Sequence, residues 1–219
     1  MKTFIKDNKV FLILYTLLIA TSAYYLLNFD KVQIHLNINK LTGNPIMDVF
    51  FKYFTHIGDG LVAIVIAVII ILFNARNGLY ILTAYLTSGI TTTLLKKHIY
   101  DIDRPHFVFH EYLYHYKVNY IEGVDMLGMR SFPSGHSTSA FAIFISLALI
   151  TENKILKFIF FVIAFLAAFS RTYLSQHWLV DITVGSIIGT SFAFLFYFIF
   201  INPNKFQKLD KPLFKIFNP

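Results

Sequence analysis

Long apolar stretches alternate with short polar connections along most of the 219-residue chain. A helix rises about 1.5 Å per residue, so roughly 20 apolar residues cross the hydrocarbon of a bilayer. The pattern predicts six spans, at Val10–Phe29, Ile57–Phe73, Leu79–Leu95, Pro133–Ile150, Ile155–Arg171 and Ile182–Ile201. Three of these are short enough to be buried helices of a soluble protein when taken alone, but six in series favour a membrane bundle. Because hydrocarbon offers the backbone no hydrogen-bonding partner, the spans must be helical.

The sequence therefore predicts an all-α fold, a polytopic membrane helical bundle with six transmembrane spans, forming a single domain over residues 1–219. Two polar connections are long enough to form an interfacial region. In the first, Asp30–His56, a turn at Gly43 precedes Met47–Phe54. Phe50, Phe51 and Phe54 would share one face of a helix there. The second, His98–Phe132, is rich in Tyr and Phe, a composition typical of the lipid headgroup level.

Composition supports the membrane assignment and limits the partners. The chain is 56% hydrophobic and 14% charged, with a mean hydropathy of +0.61, values outside those of ordinary soluble domains. The absence of Cys excludes disulfides and thiolate metal sites. The net charge of +7 suits anionic lipid headgroups, and no basic domain is large enough to read nucleic acid.

One polar string near the start of the last span contains Ser170-Arg171, then His177 after five residues and Asp181 after three more. His177 and Asp181 are expected to lie one turn apart on the same helix, where the carboxylate can hold one imidazole N–H. The other ring nitrogen would then be a primed nucleophile for phosphorus. The alternative is that Asp181 only caps the helix beside an interfacial His177, with Trp178 in the aromatic belt.

A second string, Pro133-Ser134-Gly135-His136, opens the fourth predicted span. Pro suits the first turn of a helix, so the following backbone N–H groups would form an anion cradle at the positive helix end. Gly135 would let the backbone approach a phosphate, Ser134 would add a hydroxyl, and His136 would be a general acid. The alternative is an ordinary Pro/Ser helix start with an incidental His.

A third string brings positive charge: Lys97 is followed, after six residues, by Arg104-Pro105. With Arg171, these cations could bind one phosphate and stabilise a pentavalent transition state without a metal. The alternative is that Lys96 and Lys97 only extend to the headgroups and that Arg104-Pro105 is a turn.

The three strings, in this order and with these spacings, resemble the signature of the type 2 phosphatidic acid phosphatase superfamily, with no departure at any signature position. The resemblance implies a metal-independent phosphatase that forms a covalent phosphohistidine and needs no cofactor. It assigns His177 as the nucleophile, Asp181 as its orienting carboxylate and His136 as the general acid. It assigns phosphoryl binding to Lys97, Arg104, Ser134, Gly135 and Arg171. Soluble vanadium haloperoxidases resemble this family at the same motifs, but the hydropathy favours the membrane branch and no vanadate is implied.

Members of the family act on phosphatidic acid, phosphatidylglycerol phosphate, undecaprenyl diphosphate or lipid A phosphates. The resemblance thus implies a phosphorylated membrane lipid as the partner, with polyprenyl diphosphate or phosphatidylglycerol phosphate ranked first. Two alternatives stay open. A lipid phosphotransferase would pass the phosphate to a second lipid, and a non-catalytic lipid carrier would only bind the headgroup.

The distribution of Lys and Arg predicts the orientation. Ten lie on the side of the termini and six on the other, once the motif cations Lys97, Arg104 and Arg171 are set aside. By the positive-inside rule both termini are expected in the cytoplasm. We expect an integral protein of a bacterial inner membrane with its site at the periplasmic face.

Other polar residues carry weaker hypotheses. His106 and His110, close to Glu111, could bind a metal ion, but their spacing within an aromatic loop is only a weak indication of a metal site. Asp59, at the start of the second span, is expected to be solvated at the interface.

Overall fold

The computed structural model describes residues 2–98, 102–126, 128–201 and 206–217. Within these ranges the regular structure is helical, apart from turns. The α-helices are α1 (Lys2–Asp7), α2 (Lys9–Asn28), α3 (Lys31–Asn39), α4 (Pro45–Phe54), α5 (Gly60–Phe73), α6 (Ala75–His98), α7 (Pro105–Glu111), α8 (Gly135–Ile150), α9 (Lys154–Tyr173), α10 (Leu179–Phe200) and α11 (Phe214–Phe217). Short 3-10 turns at Thr55–Gly58 and Gln207–Leu209 complete the regular structure of these ranges.

Four of the described helices, α2, α6, α9 and α10, are long and apolar enough to cross a membrane. The predicted helical membrane bundle is therefore confirmed. The second predicted span differs in detail, because its helix begins only at Gly60 and has 14 residues. It reaches the length of a span only together with Pro45–Gly58, from which it is bent by 57°.

Helix α8 has 16 residues and lies at the centre of the bundle. Its side chains are buried almost all round, including every residue from Ala140 to Ile145. A helix that is apolar on all sides is typically enclosed by other helices. Contact with α6, α9 and α10 surrounds α8, so the helix that begins with the Ser134–His136 string is fixed by packing on several sides.

Helices α8 and α10 approach each other closely at two glycines four residues apart, Gly185 and Gly189. A Cβ atom added to Gly185 would lie 2.6 Å from the carbonyl oxygen of Ser134, and one on Gly189 would overlap the carbonyl oxygen of Thr138. Small residues at this spacing let two membrane helices bring their backbones together. The glycine pair therefore sets the position of the α8 N-terminus against the start of α10.

Both described terminal segments pack at the opposite end of the bundle from the α8 N-terminus. Lys157 Nζ donates to Asn8 Oδ1 over 2.6 Å and to the carbonyl of Ala148, near the C-terminal end of α8. At the start of α6, Arg76 forms an ion pair with Asp210 at 2.6 Å. The N-terminal helix and the 206–217 segment thus lie at one end, and the three polar strings at the other.

The predicted helix over Met47–Phe54 is present as α4. Asn44 caps it by accepting hydrogen bonds from Ile46 and Met47, and Pro45 occupies its first turn, both favourable arrangements at a helix start. Phe51 is buried, with its ring centroid 4.5 Å from that of Tyr173. Helix α4 is thereby anchored to the end of α9.

Candidate active site

His177 and Asp181 meet as predicted, although not on one helix. Helix α10 begins at Leu179, so His177 lies in the turn before it, with its backbone N–H bonded to the carbonyl of Arg171. The imidazole Nδ1 lies 3.3 Å from Asp181 Oδ2, and both side chains are buried. The expectation of helical i, i+4 packing is corrected, because the α9–α10 turn brings the ring to the carboxylate.

The Asp181 carboxylate is held by more than His177. Its Oδ2 accepts a hydrogen bond from the Ser131 hydroxyl and a 2.9 Å bond from the Trp178 backbone N–H. Asp181 therefore caps α10 and orients His177 at the same time, which combines the two interpretations of the sequence. Ser131 is fully buried and was missed by the sequence analysis, because it lies outside the three strings.

Trp178 does not belong to the aromatic belt. Its side chain is buried, its indole Nε1 donates to the carbonyl of Asp103 over 2.9 Å, and its ring packs against His35 and Phe109. The interfacial expectation was wrong because the α9–α10 turn folds inward over the 102–112 segment. Trp178 thus supports the turn that carries His177.

The surroundings of His177 keep it neutral. Burial lowers the pKa of His177 well below its ordinary value, and the charges of Arg104, Arg171 and Lys96 lower the pKa further. An imidazole that stays unprotonated at neutral pH retains a lone pair for attack. With the proton on Nδ1, facing Asp181, that lone pair lies on Nε2.

Ser134 and Gly135 form the start of α8, where the sequence predicts an anion cradle. Ser134 is the N-cap residue, and its hydroxyl oxygen accepts bonds from the backbone and side chain of Ser137. Its own N–H is donated to the Asp181 carbonyl over 3.0 Å. The free N–H groups at this helix end are therefore those that follow. A Cβ on Gly135 would meet no atom of the described residues within 4 Å, so these N–H groups adjoin open space.

Two buried arginines lie near His177. Arg104 donates from Nε to the Met129 carbonyl at 3.0 Å and from a terminal nitrogen to Gln176 Oε1 at 3.2 Å. Arg171 donates to the Thr55 hydroxyl at 2.8 Å, and its buried Nε has no hydrogen-bond partner among the residues that the structure describes. Within the described ranges neither arginine forms an ion pair with a carboxylate. Since buried charges are normally paired, the arrangement favours an anion as the missing partner.

Lys97 and Lys96 differ in placement. Lys97 is exposed at the end of α6, and its side chain makes no hydrogen bond within the described ranges. Lys96 is half-buried and donates to the Arg130 carbonyl at 3.1 Å. The structure therefore brings seven of the eight sequence-assigned residues together and leaves Lys97 at the margin.

His136 has a partner that the sequence analysis did not assign. Its Nε2 lies 2.6 Å from Asp59 Oδ1, and the other carboxylate oxygen lies 2.8 Å from His56 Nδ1. Asp59 is partly exposed, as expected at the interface, but its carboxylate also contacts α8, because the residue lies at the bend between Pro45–Gly58 and α5. No sequence motif links Asp59 to a His that lies 77 positions later in the chain.

A cavity of about 530 Å³ opens beside His136. Gly135, His136 and Lys96 line its polar end, and Leu86, Ile90 and Leu94 of α6 line an apolar wall. These three leucine and isoleucine side chains are also exposed on the outer surface of the bundle. The cavity thus connects the polar site with a surface that would face lipid.

The alternative metal site does not form. His106 and His110 stack in α7 with ring centroids 6.0 Å apart, and burial lowers the pKa of His106. Among the residues that the structure describes, no group of three or more His, Asp or Glu side chains is placed to hold a metal ion.

Comparison with known proteins identifies the family. A model of the PAP2 superfamily matches residues 77–205, more than half of the chain. The chain belongs to the PAP2 superfamily. It is an integral membrane phosphatase of this superfamily and a hydrolase of phosphate esters. No curated protein sequence matches it.

Two solved PAP2-type structures are similar over most of the chain. LpxE from Aquifex aeolicus has 27% sequence identity and a TM-score of 0.66, with 77% of this chain and 96% of that chain covered. A transmembrane PAP2-type phosphatidylglycerolphosphate phosphatase from Bacillus subtilis has 26% identity and a TM-score of 0.63, with 93% and 100% covered.

Proposed function

We propose that this PAP2 protein removes a terminal phosphate from a phosphomonoester or diphosphate of a membrane lipid, through a phosphohistidine intermediate. One observation carries the proposal. Arg104 and Arg171 are buried without a described carboxylate partner, next to the buried His177 that Asp181 orients. Two guanidinium groups around an oriented neutral imidazole match a phosphoryl group that is to be attacked at phosphorus.

In the first half of the reaction, the Nε2 lone pair of His177 attacks phosphorus and the bond to the lipid oxygen breaks. Asp181 stabilises the positive charge that develops on the ring, as the carboxylate of a catalytic triad does. His136 donates a proton to the leaving oxygen. Arg104, Arg171, the Ser134 hydroxyl and the backbone N–H of Gly135 would hold the equatorial oxygens, and Lys97 would add a third cation.

In the second half, water attacks the phosphohistidine and the P–N bond breaks. His136, now neutral, takes a proton from the attacking water, which restores its acid form by microscopic reversibility. Phosphate then leaves and His177 returns to its neutral state. The protein supplies charge, orientation and proton transfer from its own side chains throughout.

The cavity beside His136 supports a lipid as the substrate. Its polar end would hold the phosphate, while Leu86, Ile90 and Leu94, one turn apart on α6, would contact an acyl or prenyl chain. The similarity to a phosphatidylglycerolphosphate phosphatase supports phosphatidylglycerol phosphate as one candidate substrate. Undecaprenyl diphosphate, phosphatidic acid and lipid A 1-phosphate present the same terminal phosphate chemistry.

The proposed orientation places the site at the periplasmic face of a bacterial inner membrane. Its support is the excess of Lys and Arg on the side of the termini. The described terminal segments also pack at the end of the bundle opposite to His177, as the contacts of Asn8 and Asp210 indicate.

The proposal is tested with purified protein and a panel of these four lipid phosphates, assayed for inorganic phosphate. We expect release from at least one lipid, inhibition by vanadate, and loss of release with retained lipid binding in His177→Ala. Phosphate recovered mainly on an added lipid acceptor would instead establish a phosphotransferase. Lipid binding or transfer that survives His177→Ala, without phosphate release by the unmodified protein, would establish a carrier.

A further inference from the structure

The carboxylate of Asp59 lies between two imidazole rings. Oδ1 is 2.6 Å from His136 Nε2, and Oδ2 is 2.8 Å from His56 Nδ1. The Asp59 side chain is 37% exposed and that of His56 is 65% exposed, whereas His136 lies deeper, at 29%. Both oxygens are therefore engaged, and the carboxylate has a defined orientation toward the site.

Asp59 makes these contacts instead of a more common one. It occupies the position just before α5, where an Asp side chain normally accepts a hydrogen bond from the first turn of its helix. Here the side chain makes no such capping bond. Because a capping contact normally stabilises the start of a helix, its replacement by two histidine contacts indicates a different use of the carboxylate.

The backbone around Asp59 is fitted to His136 as closely as its side chain. A Cβ atom added to the preceding residue, Gly58, would lie 3.1 Å from both Cβ and the carbonyl oxygen of His136. Gly58 is buried. The turn before α5 therefore packs directly on the first turn of α8, and this fixes the distance between the Asp59 carboxylate and the imidazole.

We propose that Asp59 is a positioning residue for the general acid of the phosphatase reaction. Its Oδ1 accepts the Nε2–H of His136, so that Nδ1 carries the proton for the leaving oxygen. His56 holds the second carboxylate oxygen and keeps the pair aligned. His136 Nδ1 makes no hydrogen bond within the described residues, which leaves it free for substrate. The inference rests on the proposed function, since it specifies how the acid of that reaction is held.

The site would then contain two carboxylate–histidine pairs with opposite tasks. Asp181 holds Nδ1 of His177 and leaves Nε2 for attack, whereas Asp59 holds Nε2 of His136 and leaves Nδ1 for proton donation. In the bond-breaking step the electron pair of the P–O bond goes to the lipid oxygen. The proton moves from Nδ1 of His136 to that oxygen.

Dependence on the leaving group tests this role. An alkoxide is a poor leaving group and requires the acid, whereas a nitrophenolate leaves readily without it. The substrates are an alkyl monophosphate and a nitroaryl monophosphate with an alkyl tail of equal length. First-turnover release of the alcohol or phenol is measured by rapid quench. For Asp59→Asn we expect a loss of about 100-fold with the alkyl substrate, the size typical of general acid catalysis. The loss should be several-fold at most with the nitroaryl substrate.

Two further variants make the result specific. Glu111→Gln removes another carboxylate–histidine contact, 2.9 Å from His110 and outside the site, and should leave both rates unchanged. In a His136→Gln background, Asp59→Asn should cause no further loss, because two residues that act through one group are not additive. If Asp59→Asn fails to fold, Asp59→Glu replaces it and should give the same leaving-group pattern with a smaller loss.

The outcomes separate this inference from the proposed function. Equal losses of Asp59→Asn on both substrates, or a full further loss in the His136→Gln background, would overturn the positioning role and leave the phosphatase proposal intact. Failure of the unmodified protein to release either product would overturn both.

Discussion

Gly185 lies against the carbonyl group of Ser134 so closely that a single methyl group on Gly185 would come within 2.6 Å of the oxygen. This contact joins the N-cap residue of α8 to the second turn of α10. The same region contains the bond from the Ser134 N–H to the Asp181 carbonyl, at 3.0 Å. The anion-binding start of α8 and the residues around the nucleophile are therefore held in register by backbone contact.

Gly185→Ala should destabilise the protein and lower its activity. The added methyl group meets backbone, which cannot rotate away, so α8 and α10 must separate. We expect a loss of about 1 to 3 kcal/mol, the range for overpacking a close contact. Thermal unfolding in detergent measures it. Gly89→Ala, where a Cβ meets no atom of the described ranges within 4 Å, is the control for stability and should not lower the unfolding temperature.

Ser131→Ala should lower kcat while leaving KM nearly unchanged. The Ser131 hydroxyl is one of three donors to Asp181 Oδ2, together with the Trp178 N–H and the His177 ring. A hydrogen bond to a charged group is worth about 1.5 to 3 kcal/mol, which corresponds to roughly 10- to 100-fold in rate. Steady-state kinetics on a lipid phosphate measure it. A change confined to KM would show that Ser131 acts on substrate binding instead.

Lys97→Gln should raise KM more than Lys96→Gln. The ammonium of Lys96 is engaged by the Arg130 carbonyl, whereas the exposed Lys97 has its charge available for a bound phosphate. The two variants are matched in charge, helix and position, so each serves as the control for the other. A larger effect of Lys96→Gln would transfer the third phosphate-binding cation to Lys96, which lines the cavity.

The stability of the protein should fall between pH 6.5 and pH 4. Burial lowers the pKa of His35 to about 4, against an unfolded value near 6.5. In this window the unfolded chain binds the proton and the folded chain does not, so lowering the pH favours unfolding. By linkage, the titration of His35 lowers the free energy of unfolding by about 3 kcal/mol at pH 4.

His35→Gln is the variant that tests this origin. Glutamine can keep the contact that His35 Nε2 makes with the Ser175 hydroxyl at 3.1 Å, but it does not titrate. Thermal unfolding across the pH range should show a weaker pH dependence in the variant. An unchanged slope would assign the acid sensitivity to other groups.

The chemistry of the site could be predicted from the sequence because the reacting groups lie in short strings with fixed internal spacing. His177 and Asp181 illustrate the limit of that prediction. Their partnership was anticipated, but the helix begins two residues after His177, and the α9–α10 turn that closes the contact has no signature. The local sequence pattern predicts that His177 and Asp181 are partners, whereas tertiary packing determines the geometry of their contact.

Residues that act from outside the strings could not be found in this way. In the sequence, Asp59 lies three residues after His56, a spacing that is common at interfaces. The partner that links Asp59 to the site is His136, which lies on another helix. Ser131 differs from other serines only through its burial next to Asp181. The start of the second span was also misplaced. Hydropathy shows which residues are apolar, but it does not show the 57° bend between Pro45–Gly58 and α5.

The apolar wall formed by Leu86, Ile90 and Leu94 has a kinetic consequence. A substrate that reaches His136 along this wall arrives by diffusion within the plane of the membrane. The encounter rate would then follow the mole fraction of substrate among the surrounding lipids, and the bulk concentration would be irrelevant. Adding inert detergent to mixed micelles at constant total substrate should slow such an enzyme by surface dilution alone.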